Sequence, residues 1–201
     1  MPVPKISAPT LTEHRSRQRA VLLEAAKELA LTEGHQAVTF AAVAARAGLA
    51  RNSIYEYFDS PRELLGALMI DHMRQWGERV SSEVALARTP EERISAYVGA
   101  GLRHMVADEP LAHSLAEMPI PAHHRQEMVD LIASMVGVLA RAIADRGVHN
   151  ADATATYLQG AMRAAVRRID AGYSDLDSET FILQQFAMAA TTPPRAAQAV
   201  G

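Results

Sequence analysis

Residues 39–58 read Thr39-Phe-Ala-Ala-Val-Ala-Ala-Arg-Ala-Gly-Leu-Ala-Arg-Asn-Ser-Ile-Tyr-Glu-Tyr-Phe58. The spacing predicts two short helices, near 40–47 and 51–58, around a turn at Gly48. Val43 and Ala47, four apart, face inward from the first. Ala44 is small enough to let the second helix cross closely. Gly48 stands where such a turn needs positive φ, a conformation that only glycine adopts cheaply. Leu49 is the apolar plug of the turn, and Ile54 and Phe58, again four apart, give the second helix its buried side. The opposite side carries Arg51, Asn52, Ser53 and Tyr55, side-chain types that bond phosphate oxygens and base edges. An ordinary helical hairpin with a polar surface would share the same spacing, so the flanking sequence has to decide.

Upstream, Leu22, Ala26 and Leu29 recur at helical spacing from about Glu13 to Glu33, and Gly34 is a natural stop. Residues 1–11 hold Pro2, Pro4 and Pro9 without periodicity and read as a flexible arm. Downstream, Ser60-Pro61-Arg62-Glu63 is a capping-box start. The helix it opens runs toward Ala87, with Leu65, Met69, Met73, Trp76, Val80 and Val84 on one face. Thr89-Pro90-Glu91-Glu92 repeats the signal for a helix carrying Ile94, Val98, Leu102 and Met105, expected to end before Pro110. A short helix over 110–117 is expected, broken by Pro119-Ile120-Pro121. Met128, Ile132, Met135, Leu139 and Ile143 mark another helix ending at Gly147. Asn150 is placed to cap the next, to about Ala171, and the last runs from about Ser178 to Ala190. No alternating strand pattern and no internal repeat is present. The expected fold is all-α with about nine helices, divided into a 1–11 arm, a 12–59 helix-turn-helix domain, a 60–190 regulatory domain and a 191–201 tail.

Composition narrows the functions this fold could serve. The 201 residues carry a net charge of −3, 49% hydrophobic and 21% charged residues, and no Cys, which excludes disulfides, thiolate metal sites and Cys nucleophiles. Residues 1–20 hold Lys5, Arg15, Arg17 and Arg19 against Glu13 alone, so one end is suited to meet an anion while the body is acidic. No apolar run reaches the roughly 18 residues of a membrane span, and the N-terminus lacks the apolar core of a signal peptide, so a cytoplasmic location is expected. Gly-x-Ser-x-Gly and Gly-rich phosphate loops are absent, and no catalytic residue or cofactor is assigned.

With Leu22-Leu23-Glu24-Ala25-Ala26, Leu29, Glu33-Gly34, Val38-Thr39, Val43-Ala44, Ala47-Gly48-Leu49, Ile54-Tyr55, Tyr57-Phe58 and Leu64, about 50 residues resemble the tetracycline-repressor (TetR) family of transcriptional regulators. The resemblance implies that Thr39 bonds a DNA phosphate, that Arg51 and Asn52 enter the major groove, and that Ser53, Tyr55 and Tyr57 hold backbone phosphates. Three positions depart from the family pattern. Ala50 replaces the usual Ser or Thr cap, Ala30 a Phe of the first helix, and Pro61 a phosphate-contacting Lys whose place the neighbouring Arg62 is expected to take.

The expected function is a ligand-responsive regulator, a repressor that binds a palindromic operator in double-stranded DNA as a homodimer and is released by a small, mostly apolar effector. Met73, Trp76, Tyr97, His104, Met105, Met128 and Met135 are the expected effector lining, because Met and aromatic side chains make an adaptable apolar cavity. Tyr157, Gly160, Ala161 and Ala164, with Phe181 and Phe186, are the expected dimer interface, since their helix is apolar on a second face. Two other functions compete. One is an architectural DNA-binding protein without an effector, disfavoured by the acidic body. The other is a helical metal hydrolase using the His104, His113, His123 and His124 group. Those histidines lack the i, i+4 spacing of a helical zinc pair and are read as polar rather than ligating, so no metal is assigned.

Overall fold

Thr89 and Glu92 close a reciprocal capping box: the Glu92 N–H donates to Thr89 Oγ1 at 3.1 Å, and the Thr89 N–H donates to Glu92 Oε2 at 3.2 Å. Side chains of Thr39, Ser60, Thr89 and Asp175 cap four of the helix starts in the computed structural model, which describes the backbone of residues 8–115 and 121–193. Seven α-helices follow in order: α1 (Ala8–Glu33), α2 (Phe40–Arg46), α3 (Pro61–Ala85), α4 (Pro90–Leu115), α5 (Ala122–Asp145), α6 (Ala151–Asp170) and α7 (Leu176–Ala190). Two short 3₁₀ helices, His35–Ala37 and Arg51–Glu56, bring the described residues to nine helical elements without a strand. The all-α expectation holds.

Several boundaries differ from the sequence reading. Helix α1 begins at Ala8, well before Glu13, with Pro9 in its first turn, where no N–H is needed. Residues 1–7 of the expected arm and 194–201 of the expected tail lie outside the described residues, as do Pro119 and Ile120. Helix α4 does not stop before Pro110 but continues to Leu115, so no separate helix starts at 110. Pro110 deletes one rung of the ladder, and burial of Leu111 in the turn beyond it offsets that loss. Asn150 precedes α6 without a side-chain cap bond. An unanticipated cap is Asp175, whose carboxylate accepts from the Ser178 N–H at 2.8 Å and starts α7.

The chain forms two compact units. The first takes Met1–His72 and Pro110–Gln126; the second takes Met73–Glu109 and Glu127–Gly201. Leu22, Ala26 and Leu29 of α1 meet Val43, Ile54, Phe58, Leu64, Leu68 and Leu111 in the core of the first unit. That core draws on two stretches of chain because Leu111 belongs to it. The second unit is built on Val80, Ile94, Leu102, Leu139, Ile143, Leu158, Met162 and Leu183. Among the described residues, no helix is long and apolar enough to cross a membrane.

Candidate functional site

In the first unit, Thr39 starts α2 by accepting the Ala42 N–H at 3.2 Å on its hydroxyl oxygen, which leaves the exposed hydroxyl its own proton to donate outward. The helix ends in a Schellman arrangement. Leu49 N–H donates to Ala44 O at 2.9 Å and Gly48 N–H to Ala45 O at 3.2 Å, with Gly48 at φ +67°. The turn then delivers the 3₁₀ helix Arg51–Glu56, the expected recognition helix. Ala50 offers no side-chain cap, and the helix starts on an i→i+3 bond from Ser53 N–H to Ala50 O at 3.0 Å. Ile54 and Phe58 are buried on one side, as the spacing requires.

The other side projects the expected DNA-contacting groups. Arg51 and Asn52 are exposed and Ser53 is half-buried. Tyr55 is exposed, with its ring edge-on to buried Phe40 at 5.0 Å, so the ring has a fixed support. Arg62 is exposed in the first turn of α3, whose start is capped by Ser60 Oγ accepting the Glu63 N–H at 3.2 Å. Tyr57 sits differently from its expected phosphate contact. Its ring is half-buried and its hydroxyl donates to Gln18 Oε1 at 2.6 Å.

Sequence reasoning passed over the side of α1 that holds the recognition helix. Arg15 Nη2 donates to Glu56 O at 2.9 Å, satisfying a terminal carbonyl of that helix, while its guanidinium lies 5.7 Å from the Tyr57 ring centroid. Arg19 lies 5.6 Å from the Phe58 ring centroid. The signal was present in the sequence: Arg15, Gln18 and Arg19 share one helical face. Arg46 ties α2 to α1 through Glu28 at 3.3 Å and Glu33 at 3.1 Å.

The expected effector lining disperses within the second unit. Met73 and Met135 line a cleft of about 220 Å³ with Gly77, Leu131 and Val138. His104 lines a wider one of about 510 Å³ with Gln75, Arg79 and Glu83, and its Nε2 is 3.7 Å from Glu83 Oε1. Trp76 and Met105 are half-buried against the core, and Met128 is half-buried. Trp76 Nε1 is buried with no hydrogen-bond partner among the described residues. Tyr97 is fully buried and accepts a hydrogen bond from Gln159 Nε2, and burial pushes its hydroxyl pKa up to about 12.

On α6 and α7, Tyr157 is 76% exposed, Phe181 64% and Phe186 50%, and Ile182 is exposed beside them. Gly160 has open space where a Cβ would stand, Ala164 is half-buried, and Ala161 packs in part against its own core.

Residues 22–68 match the family model of bacterial regulatory proteins of the tetR family. No curated protein matches the chain in sequence. Among solved structures, a TetR/AcrR-family regulator from Thermobifida fusca YX-ER1 aligns at TM-score 0.73 and 20% identity, over 86% of this chain and 97% of that one. A tetR-family regulatory protein from Rhodococcus RHA1 gives 0.67 and 16%, over 88% and 98%. The regulator FadR from Bacillus subtilis, solved in complex with stearoyl-CoA, gives 0.69 and 17%, over 85% and 98%. Residues 22–68 thus match the tetR-family model over the helix-turn-helix, and the chain that carries them shares the fold of these solved regulators.

Proposed function

We infer that the protein is a homodimeric repressor that reads a palindromic operator with Arg51 and Asn52 and leaves it when a small, mostly apolar effector binds the second unit. The observation that carries this reading is the recognition helix. Its polar face is exposed, and its buried face and carbonyl end are fixed by Ile54, Phe58, Tyr57 and Arg15. Thr39, Ser53, Tyr55 and Arg62 surround that face with phosphate-bonding groups. The apolar surface of Tyr157, Phe181, Ile182 and Phe186 supports two-fold pairing of α6 and α7, since such surface on one helix pair is what a second copy would cover. A dimer sets two recognition helices about 34–36 Å apart, one turn of DNA or a multiple of it.

Two observations support an apolar effector. Met73, Leu131, Met135 and Val138 offer soft apolar walls in a cleft whose rim also carries Arg74, Glu78, Ser81 and Ser134, and the buried Trp76 N–H lacks a partner that a ligand carbonyl would supply. The stearoyl-CoA held by the Bacillus subtilis regulator makes long-chain acyl compounds the first candidates.

The test is selection of bound duplexes from a random DNA pool, followed by titration of acyl compounds while following Trp76 fluorescence and operator affinity. A palindrome, a dimer of twice the 21.8 kDa chain mass in sedimentation equilibrium, and release by a compound that shifts Trp76 are expected. A monomeric mass at micromolar concentration, or uniform binding to all sequences, would overturn the reading.

A further inference from the structure

Glu63, in the first turn of α3, and His123 and His124, in the first turn of α5, are 60 and 61 residues apart in sequence and converge in the first unit. His123 Nε2 lies 3.1 Å and His124 Nε2 lies 3.2 Å from the same carboxylate oxygen, Glu63 Oε2. One ligand atom from each residue falls within 4.8 Å of the other two. The imidazole centroids are 4.0 Å apart with planes inclined at 43°. We propose that these three side chains form a binding site for a divalent metal ion of the Zn(II) class.

The chemistry follows from the donor set. Two imidazole nitrogens and one carboxylate oxygen, with no thiolate, suit Zn(II), Co(II), Ni(II) or Cu(II) and discriminate against Mg(II) and Ca(II), which demand oxygen shells. Zn–N and Zn–O bonds of about 2.0–2.2 Å in a tetrahedron place neighbouring ligand atoms roughly 3.3–3.5 Å apart. The two observed carboxylate–imidazole separations need only a few tenths of an ångström of adjustment to reach that spacing.

The backbone is shaped to hold one of these rings. Gly66 lies three residues beyond Glu63, on the same side of α3, and a Cβ built there would come within 2.3 Å of His124 Cδ2. Only glycine lets the ring lie this close to the helix. The His124 side chain is 12% exposed, Glu63 30% and His123 63%, so the site is sheltered on one side and open to solvent on the other. Water would complete the coordination at the open side. A bound ion would tie the start of α3 to the start of α5 within the first unit, and would stabilise the folded chain by an amount that grows with the logarithm of its concentration over its Kd.

The test uses the full-length chain without an affinity tag, freed of metal by a chelator and titrated at pH 7.5 with ZnCl₂ by calorimetry and with Co(II) by visible absorbance. One Zn(II) per chain, tetrahedral Co(II) bands displaced by Zn(II), a raised Tm, and no competition from equimolar Mg(II) are expected. His123→Gln, an exposed change that leaves the fold intact, should weaken Zn(II) binding by more than about 100-fold, since even outer-shell partners of metals are worth 10- to 100-fold. His124→Gln and Glu63→Gln should do the same. Gly66→Ala should weaken binding while keeping all three ligands, and His149→Gln should change nothing. Absence of Zn(II) binding in the wild type, or binding that survives His123→Gln and Glu63→Gln unchanged, overturns the site.

Discussion

The hydroxyl of Tyr57, just past the recognition helix, donates to Gln18 Oε1 on α1 at 2.6 Å. That bond makes Tyr57 a strut between two helices. Tyr57→Phe should cost about 0.5–1.5 kcal/mol of stability, the net worth of one hydrogen bond, measured by urea unfolding. Operator affinity should fall modestly for every sequence, and the slope of affinity against salt should stay unchanged, because no phosphate contact is lost. A slope reduced by about one unit would put the hydroxyl on a phosphate instead.

Ala50 leaves the recognition helix without a capping side chain. Ala50→Ser should add roughly 0.5–1 kcal/mol of stability, since its backbone is already extended as a cap requires. The readout is a rise in Tm with unchanged operator sequence preference. A fall in Tm would mean that the serine cannot reach the N–H groups of this 3₁₀ turn.

Tyr97 and Gln159 satisfy each other inside the second core. Tyr97→Phe leaves the Gln159 amide without its acceptor and should cost about 1–3 kcal/mol. Adding Gln159→Leu should recover part of that loss, because replacing both partners by apolar groups removes the unmet donor. Were Tyr97 an effector-orienting group, the single change would weaken effector binding while leaving Tm in place.

Glu179 is buried on α7 and accepts from Arg168 Nε at 2.7 Å, which holds its carboxyl below the usual carboxylate range against the opposing effect of burial. The folded value is depressed, so the stabilisation is present above the ordinary Glu value of about 4.3 and is lost as pH falls below it. Wild type should exceed Glu179→Gln in stability at pH 6–7, and the gap should close in acid. A gap independent of pH between 7 and 3 would assign the effect to packing alone.

The DNA-reading helix was legible in the sequence because its signals are local. Val43, Ile54 and Phe58 obey a period of 3.6, and Gly48 marks the positive-φ stop. Helix starts at Thr89 and Ser60 were legible for the same reason. The continuation of α4 through position 110 is not legible locally, because the missing Pro N–H signals a stop while the burial of Leu111 one residue later depends on residues distant in the chain. The Tyr97 hydroxyl's bond to Gln159 is not legible in the sequence, because a partner 62 residues away gives no local sign that it will meet the ring. The approach of Glu63 to His123 and His124 is hidden for a similar reason, since the carboxylate comes from another helix about 60 residues away.

Leu111 carries a consequence for anyone who would exchange parts between regulators. The DNA-reading unit is not a severable N-terminal piece, because this side chain, buried to 2% exposure in its core, arrives from the far end of α4. A hybrid joined by a single crossover after residue 72 would pair Leu64 and Leu68 with whatever the donor chain happens to bring to that position. Losing the burial of one leucine costs about 1.5–3 kcal/mol, a large share of the stability of a small helical unit. Working hybrids should need three junctions, after residues 72, 109 and 126, with the 110–126 stretch travelling alongside the helix-turn-helix it completes.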